Sequence, residues 1–125
     1  MRWPVGDLAS NLQRYRRVQI SAGALFWLPV AFLYFQSEFG IDGALQLSAI
    51  YYLAVVVAEV PSGWFSDRLG RVVTIRLAAL WWIVANALFL VGGRFAVVAA
   101  AQLFLALGFA FLSGTVAAFH YDSLE

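Results

Sequence analysis

The chain has 125 residues, 63% of them hydrophobic and only 12% charged, with a net charge of +1. Soluble domains run nearer to half apolar and a quarter charged, so this composition excludes an ordinary water-soluble domain and points to a bilayer as solvent. The absence of cysteine excludes a disulfide framework and a thiolate metal site.

Residues 1–17 form a polar N-terminal segment carrying Arg2, Arg14, Arg16 and Arg17. Four apolar runs follow, at 18–35, 44–65, 72–91 and 95–118. Each has roughly the 17–25 residues that a helix needs to cross about 30 Å of hydrocarbon. Transmembrane strands would be shorter and would alternate in polarity, which these runs do not. The first run is also too long for a typical signal-peptide core. The connections are short: a polar, glycine-containing stretch at 36–43, a charged loop at 66–71, and Gly92-Gly93-Arg94, followed at the end by residues 119–125. The reading is an all-α membrane protein with four transmembrane helices.

The basic residues orient it. All eight are arginine; seven lie before the first run or around the second connection (Arg68, Arg71, Arg76), and only Arg94 lies in the third. By the positive-inside rule the N-terminus and the second connection are cytoplasmic, and four crossings return the C-terminus to the same side.

The stretch EVPSGWFSDRLGR, residues 59–71, joins oil to water. Glu59 stands about 12 Å up the helix from Asp67. A charge at that depth is costly and is expected to face protein or water. Ala54, Ala58, Ser62 and Ser66 make a small-residue stripe that admits another helix closely, as do Ala106, Ala110, Gly114 and Ala118 on the fourth run. Pro61 removes the helical donor of the Val57 carbonyl and permits a bend. Gly70 permits the tight turn into the third helix. Asp67, placed one residue past the second helix, is unfavourable beside the negative helix end unless a cation such as Arg71 reaches back to it.

Gly63, Asp67, Arg68, Gly70 and Arg71 spell G-x-x-x-D-R-x-G-R. This resembles the loop between the second and third helices of the major facilitator superfamily of secondary transporters. The preceding Glu59-Val-Pro-Ser-Gly63, the segment from Asn11 to Tyr15, Ser113-Gly114 and Tyr121-Asp122-Ser-Leu look like a subgroup of that family. Where many members carry a second basic residue after the G-R, this chain has Val72, with Arg76 one turn later. The resemblance implies the first third of a fold of about twelve helices, with substrate bound between two halves near the midplane. The chain is then an incomplete N-terminal fragment of a permease or exporter that moves a small solute by alternating access. Its implied partners are the lipid bilayer, that solute and the missing C-terminal helices, in the cytoplasmic membrane.

The resemblance also implies that Gly63, Asp67, Arg68, Gly70 and Arg71 gate the conformational change, Asp67 meeting a helix of the absent half. Asp122 is the expected partner of Arg71 in a charge network, because similar proteins tie this loop to an acid of the fourth helix. Glu59 is a candidate coupling acid or a packed structural one. Asn86 and Gln102 are expected to hydrogen-bond between helices, and Gln102 is also a candidate for the substrate cavity. The tryptophans read as interface anchors or lipid-facing bulk. His120 stands alone, without the spacing of a metal site, and no cofactor is expected. No constellation supports an enzyme, and the arginines are too few and too close to the membrane for nucleic acid. Two other readings stand: a small four-helix multidrug exporter acting as a dimer, whose coupling acid is missing from residues 18–35, and a non-transporting assembly module.

The arginine distribution makes a topological prediction. Single cysteines at Gly40 and Ser66 are expected to label from opposite sides of the membrane, Gly40 from outside and Ser66 from the cytoplasm. Labelling of both from outside would contradict the orientation.

Overall fold

The computed structural model describes residues 10, 12–14, 16, 17, 20 and 27–122, with side chains as far as Thr115. Its elements are helices: α1 (Trp27–Leu69), α2 (Arg71–Val91) and α3 (Phe95–Asp122). No strand occurs among the described residues. Residues 34–125 form one compact unit and residues 1–33 another. Much of the N-terminal segment 1–17 and of the first apolar run lies outside the described residues.

Three helices are long and apolar enough to cross a bilayer: Trp27–Leu69, Arg71–Val91 and the Phe95–Thr115 part of α3. The 21 residues of α2 span about 31 Å, which matches the hydrocarbon thickness. α1 has 43 residues, about twice that need, and it is interrupted at Gly40, with φ 73° and ψ 178°. The break therefore divides it into helical arms 27–39 and 41–69. Residues 36–43, expected as a loop, are helical on both sides of this one residue. The physical reason is that Gln36, Ser37, Glu38 and Asp42 are polar but compatible with a helix, and only glycine enters the left-handed region without steric cost.

A similar correction applies at the other end of the arm. Helix continues through Ser66, Asp67 and Arg68 to Leu69, and Gly70 alone (φ 84°) separates it from α2. Nothing before Gly70 is obliged to stop a helix. Pro61 stays inside α1, and the residue with non-helical backbone angles is Gly40. The third connection forms as read. The Gly92 N–H donates to the Leu88 carbonyl at 3.1 Å, and Arg94 N–H returns to the Gly92 carbonyl at 2.9 Å.

Within residues 34–125, α3 is the shared packing element. Val98, Ala101, Gln102, Ala106, Ala110, Phe111 and Thr115 are all buried. On one side it runs parallel to arm 41–69: Phe65 meets Phe111 at a ring separation of 5.7 Å, and Ser66 meets Thr115. The arm presents residues 44, 47, 51, 58, 62 and 66, a buried line at three- and four-residue steps. The small stripe read from the sequence occupies part of it: Ala58, Ser62 and Ser66 are buried and Ala54 partly so.

On the other side α2 lies against α3. Trp81 stacks on Phe104 with centroids 5.5 Å apart, and Trp82 covers Gly108. These two tryptophans belong to the helix interface, and neither is simply lipid-facing bulk. At the far end Phe35 stacks on Phe89 at 6.2 Å and Phe39 meets Phe95 edge-on at 5.6 Å.

The Trp82–Gly108 contact generates a stability prediction. A Cβ at position 108 would overlap the Trp82 indole and approach the Ala78 carbonyl oxygen to 3.0 Å. Gly108→Val is expected to destabilise by about 1–3 kcal/mol through overpacking. Gly63→Ala, whose Cβ would meet nothing within 4 Å, should be neutral or gain up to about 1 kcal/mol. Reversible denaturation in mixed micelles measures both, and equal stabilities would contradict this packing.

Candidate functional site

The five motif residues straddle the Gly70 break. Gly63, Asp67 and Arg68 lie in the last two turns of α1, and Arg71 opens α2. Asp67 is therefore within the helix, not one residue past it, and is exposed. A carboxylate in the last turn opposes the helix dipole, which raises the value of any cation that approaches it. Arg68 lies on the same helix end, its guanidinium carbon 5.0 Å from the centroid of the Trp64 ring. That is cation–π distance, and it anchors the arginine along an exposed aromatic face. Arg71 is half-buried and has an interaction of its own. The side chain of Asp122, its expected partner, lies outside the described residues, as do those of Ala118 and His120.

The start of α2 has no side-chain cap. The Gly70 carbonyl is the first acceptor of α2: it receives the Thr74 N–H at 3.2 Å and the Thr74 hydroxyl at 3.0 Å. Thr74 is fully buried, so it pins the turn from within the helix.

Several hydroxyl side chains elsewhere in the apolar helices satisfy themselves on their own helix. Ser48 donates to Ala44 O at 2.9 Å, Ser62 to Glu59 O at 2.8 Å, Ser113 to Ala110 O at 3.3 Å and Thr115 to Phe111 O at 2.8 Å. This is the solution available where water cannot serve as partner. Asn86 does the same, donating to Trp82 O at 2.7 Å, so it does not bridge helices as its position suggested. The bridge that does form is between Thr115 and Ser66, whose hydroxyl oxygens are 3.3 Å apart in a buried contact between α3 and arm 41–69. Sequence reading found Ser66 only as a small residue, and passed over Thr115. The signal was present: a threonine one position beyond the glycine of a small-residue stripe.

Gln102 is 3% exposed, and its Oε1 finds no hydrogen-bond partner among the described residues. Its burial lies within the chain's own helices.

Glu59 lies on the outward side of the arm, exposed. Among the described residues neither Glu59 nor Asp67 forms an ion pair, and the described arginines of residues 34–125 (Arg68, Arg71, Arg76, Arg94) all lie nearer the helix ends. An unpaired charge at the centre of a membrane helix costs about 2.5–3.5 kcal/mol on insertion scales. No group of three or more histidine, cysteine or carboxylate side chains that could hold a metal occurs among the described residues.

Comparison with family models, with curated proteins and with solved structures finds no match to this chain.

The Ser66–Thr115 bridge generates the prediction of this section. Thr115→Val keeps the shape and removes the hydroxyl, and is expected to cost about 0.6–1.7 kcal/mol. Ser113→Ala, which deletes an exposed hydroxyl bonded only to its own helix, is expected to change stability by less than about 0.5 kcal/mol. Denaturation in mixed micelles decides, and an equal response to the two changes would contradict a bridging role.

Proposed function

We propose that this chain is the N-terminal four-helix portion of a secondary transporter of the major facilitator type, which moves a small solute across the cytoplasmic membrane by alternating access. The observation that carries the reading is the order and spacing of Gly63, Asp67, Arg68, Gly70 and Arg71 around a one-residue break between two apolar helices. In such a protein the first crossing is the run 18–35, the second lies in arm 41–69, and α2 and α3 are the third and fourth. The N-terminus, the Gly70 turn and the end of α3 are then cytoplasmic.

In mechanism, Gly70 lets two membrane helices meet at the cytoplasmic surface with no intervening loop. Asp67 and Arg71 are thereby carried on rigid helix ends, one turn apart on either side of the glycine. A gate needs charges whose positions change with helix tilt and not with loop motion, and this arrangement supplies them. Arg71, with a planar fork able to serve two carboxylates, is the switching cation between Asp67 and the acid Asp122 at the end of α3. Asp67 is the group offered to the helices of the second half. The solute and the coupling ion are set by residues of both halves.

Two results test the proposal together. The reading frame encoding residue 125 is expected to continue through about eight further apolar segments. In that longer protein, Arg71→Ala is expected to lower solute-evoked currents on supported membranes by at least about tenfold, the scale of one lost charge-assisted contact. Arg76→Ala should leave most of the current. A frame without further membrane segments, or equal losses from the two arginines, would overturn the reading.

A further inference from the structure

The break at Gly70 is a one-residue joint, φ 84° and ψ 153°, between the end of α1 and the start of α2. Glycine is the least restricted residue in its backbone angles, so such a joint keeps one geometry only if a contact outside the glycine fixes it. No side chain caps α2 from outside the helix. The Thr74 side chain supplies a fixing contact, because its hydroxyl joins its own N–H on the Gly70 carbonyl, at 3.0 Å and 3.2 Å. The hydroxyl bonds of Ser48, Ser62, Ser113 and Thr115 end instead on carbonyls inside a helix, where the backbone is already held. Thr74 is itself well held. It has no exposed surface and shares the buried side of α2 with Ala78 and Ala85, and Ala78 lies against α3 at Gly108. One hydroxyl therefore ties the joint to the packed face of α2.

We propose that Thr74 is a positioning residue for Arg71: by holding the Gly70 carbonyl, its hydroxyl sets the direction in which the first turn of α2 leaves the break, and so where the Arg71 guanidinium is carried. Arg71 follows Gly70 directly, so any rotation at the joint moves it first. The first backbone hydrogen bond of a helix frays readily when it stands alone. A second donor on the same carbonyl resists that fraying, and the β-branched side chain that carries it has few rotamers to escape into. Valine at 74 would keep the shape and the burial and lose the second donor. Serine would keep the donor. The lock belongs to this chain's own helices; that a displaced Arg71 impairs solute movement rests on the transporter reading above.

The test is a pair of spin labels in the complete protein in bilayers, on cysteines at Val72, in the first turn of α2, and Leu103 on α3, both exposed positions. The unchanged chain and Thr74→Ser are expected to give one narrow distance. Thr74→Val is expected to raise the population of displaced distances about twofold to tenfold, the range of one neutral hydrogen bond. Ser48→Ala, which removes a hydroxyl bond inside the arm, should leave the distances as they were. Distances unchanged in Thr74→Val, even with lowered stability, would reduce the hydroxyl to an ordinary support of α2 and overturn the proposal. Failure of Thr74→Ser to restore the narrow distance, or equal broadening by Ser48→Ala, would overturn it too. If Thr74→Val fails to insert, Thr74→Ala and Thr74→Ser decide by the same distances. Distances that respond as expected, together with equal current losses from Arg71→Ala and Arg76→Ala, would support the lock and count against the transporter reading alone.

Discussion

Close approach between α3 and its two neighbours is the constraint on which the rest of residues 34–125 depends. Apolar side chains gain nothing from burial against each other when the alternative is lipid, so membrane helices associate through contact area and through hydrogen bonds that lipid cannot offer. α3 meets both needs. Gly108 lets the Trp82 indole lie on the helix backbone, and Ala106 and Ala110 are fully buried without forcing the axes apart. Thr115 then accepts one hydrogen bond from the Ser66 hydroxyl across the helix pair. Against α3, small residues near the Gly70 end of the arm face small residues. The bulky rings Phe35, Phe39, Phe89 and Phe95 fill the other end, where the chain turns.

The same constraint explains how the chain changes direction. Every positive-φ residue described is a glycine: Gly40, Gly70, Gly92 and Gly93. A helix broken at a single residue leaves few backbone groups without partners, which matters most where the ends enter an apolar medium. At Gly70 the Thr74 N–H and hydroxyl both reach the freed carbonyl. Asp67, Arg68 and Arg71 lie at the helix ends beside Gly70, and Glu59 lies deeper in the arm.

Much of this was legible in the sequence, and the parts that were not share one cause. Hydropathy located three long apolar helices, because length and apolarity are read residue by residue. The stripe Ala58, Ser62, Ser66 was legible because a four-residue period of small side chains has few other uses in a membrane helix. Polarity misled where it was taken for a loop signal: residues 36–39 and 66–69 are polar yet helical, since a helix ending at an interface has no reason to stop before its glycine. Asn86 and Thr115 show the limit of spacing arguments. Both bond to their own helix, and only the three-dimensional approach of Ser66 gives Thr115 a partner on a neighbour as well. Trp82 was misplaced for a related reason, because its fit over Gly108 is a property of two helices and is invisible in either alone.

The most direct measurement of the account is a disulfide across the parallel pair formed by arm 41–69 and α3. The native chain has no cysteine, so an introduced pair reports without background. A Cβ at position 114 would lie 4.0 Å from the Ser62 hydroxyl oxygen, within the reach of a disulfide. Ser62→Cys combined with Gly114→Cys is predicted to crosslink nearly completely under mild oxidation in the bilayer, whereas Gly63→Cys with Gly114→Cys is predicted to remain largely reduced. Absent crosslinking of the first pair, or equal crosslinking of both, would contradict the close packing of α3 on which the account is built.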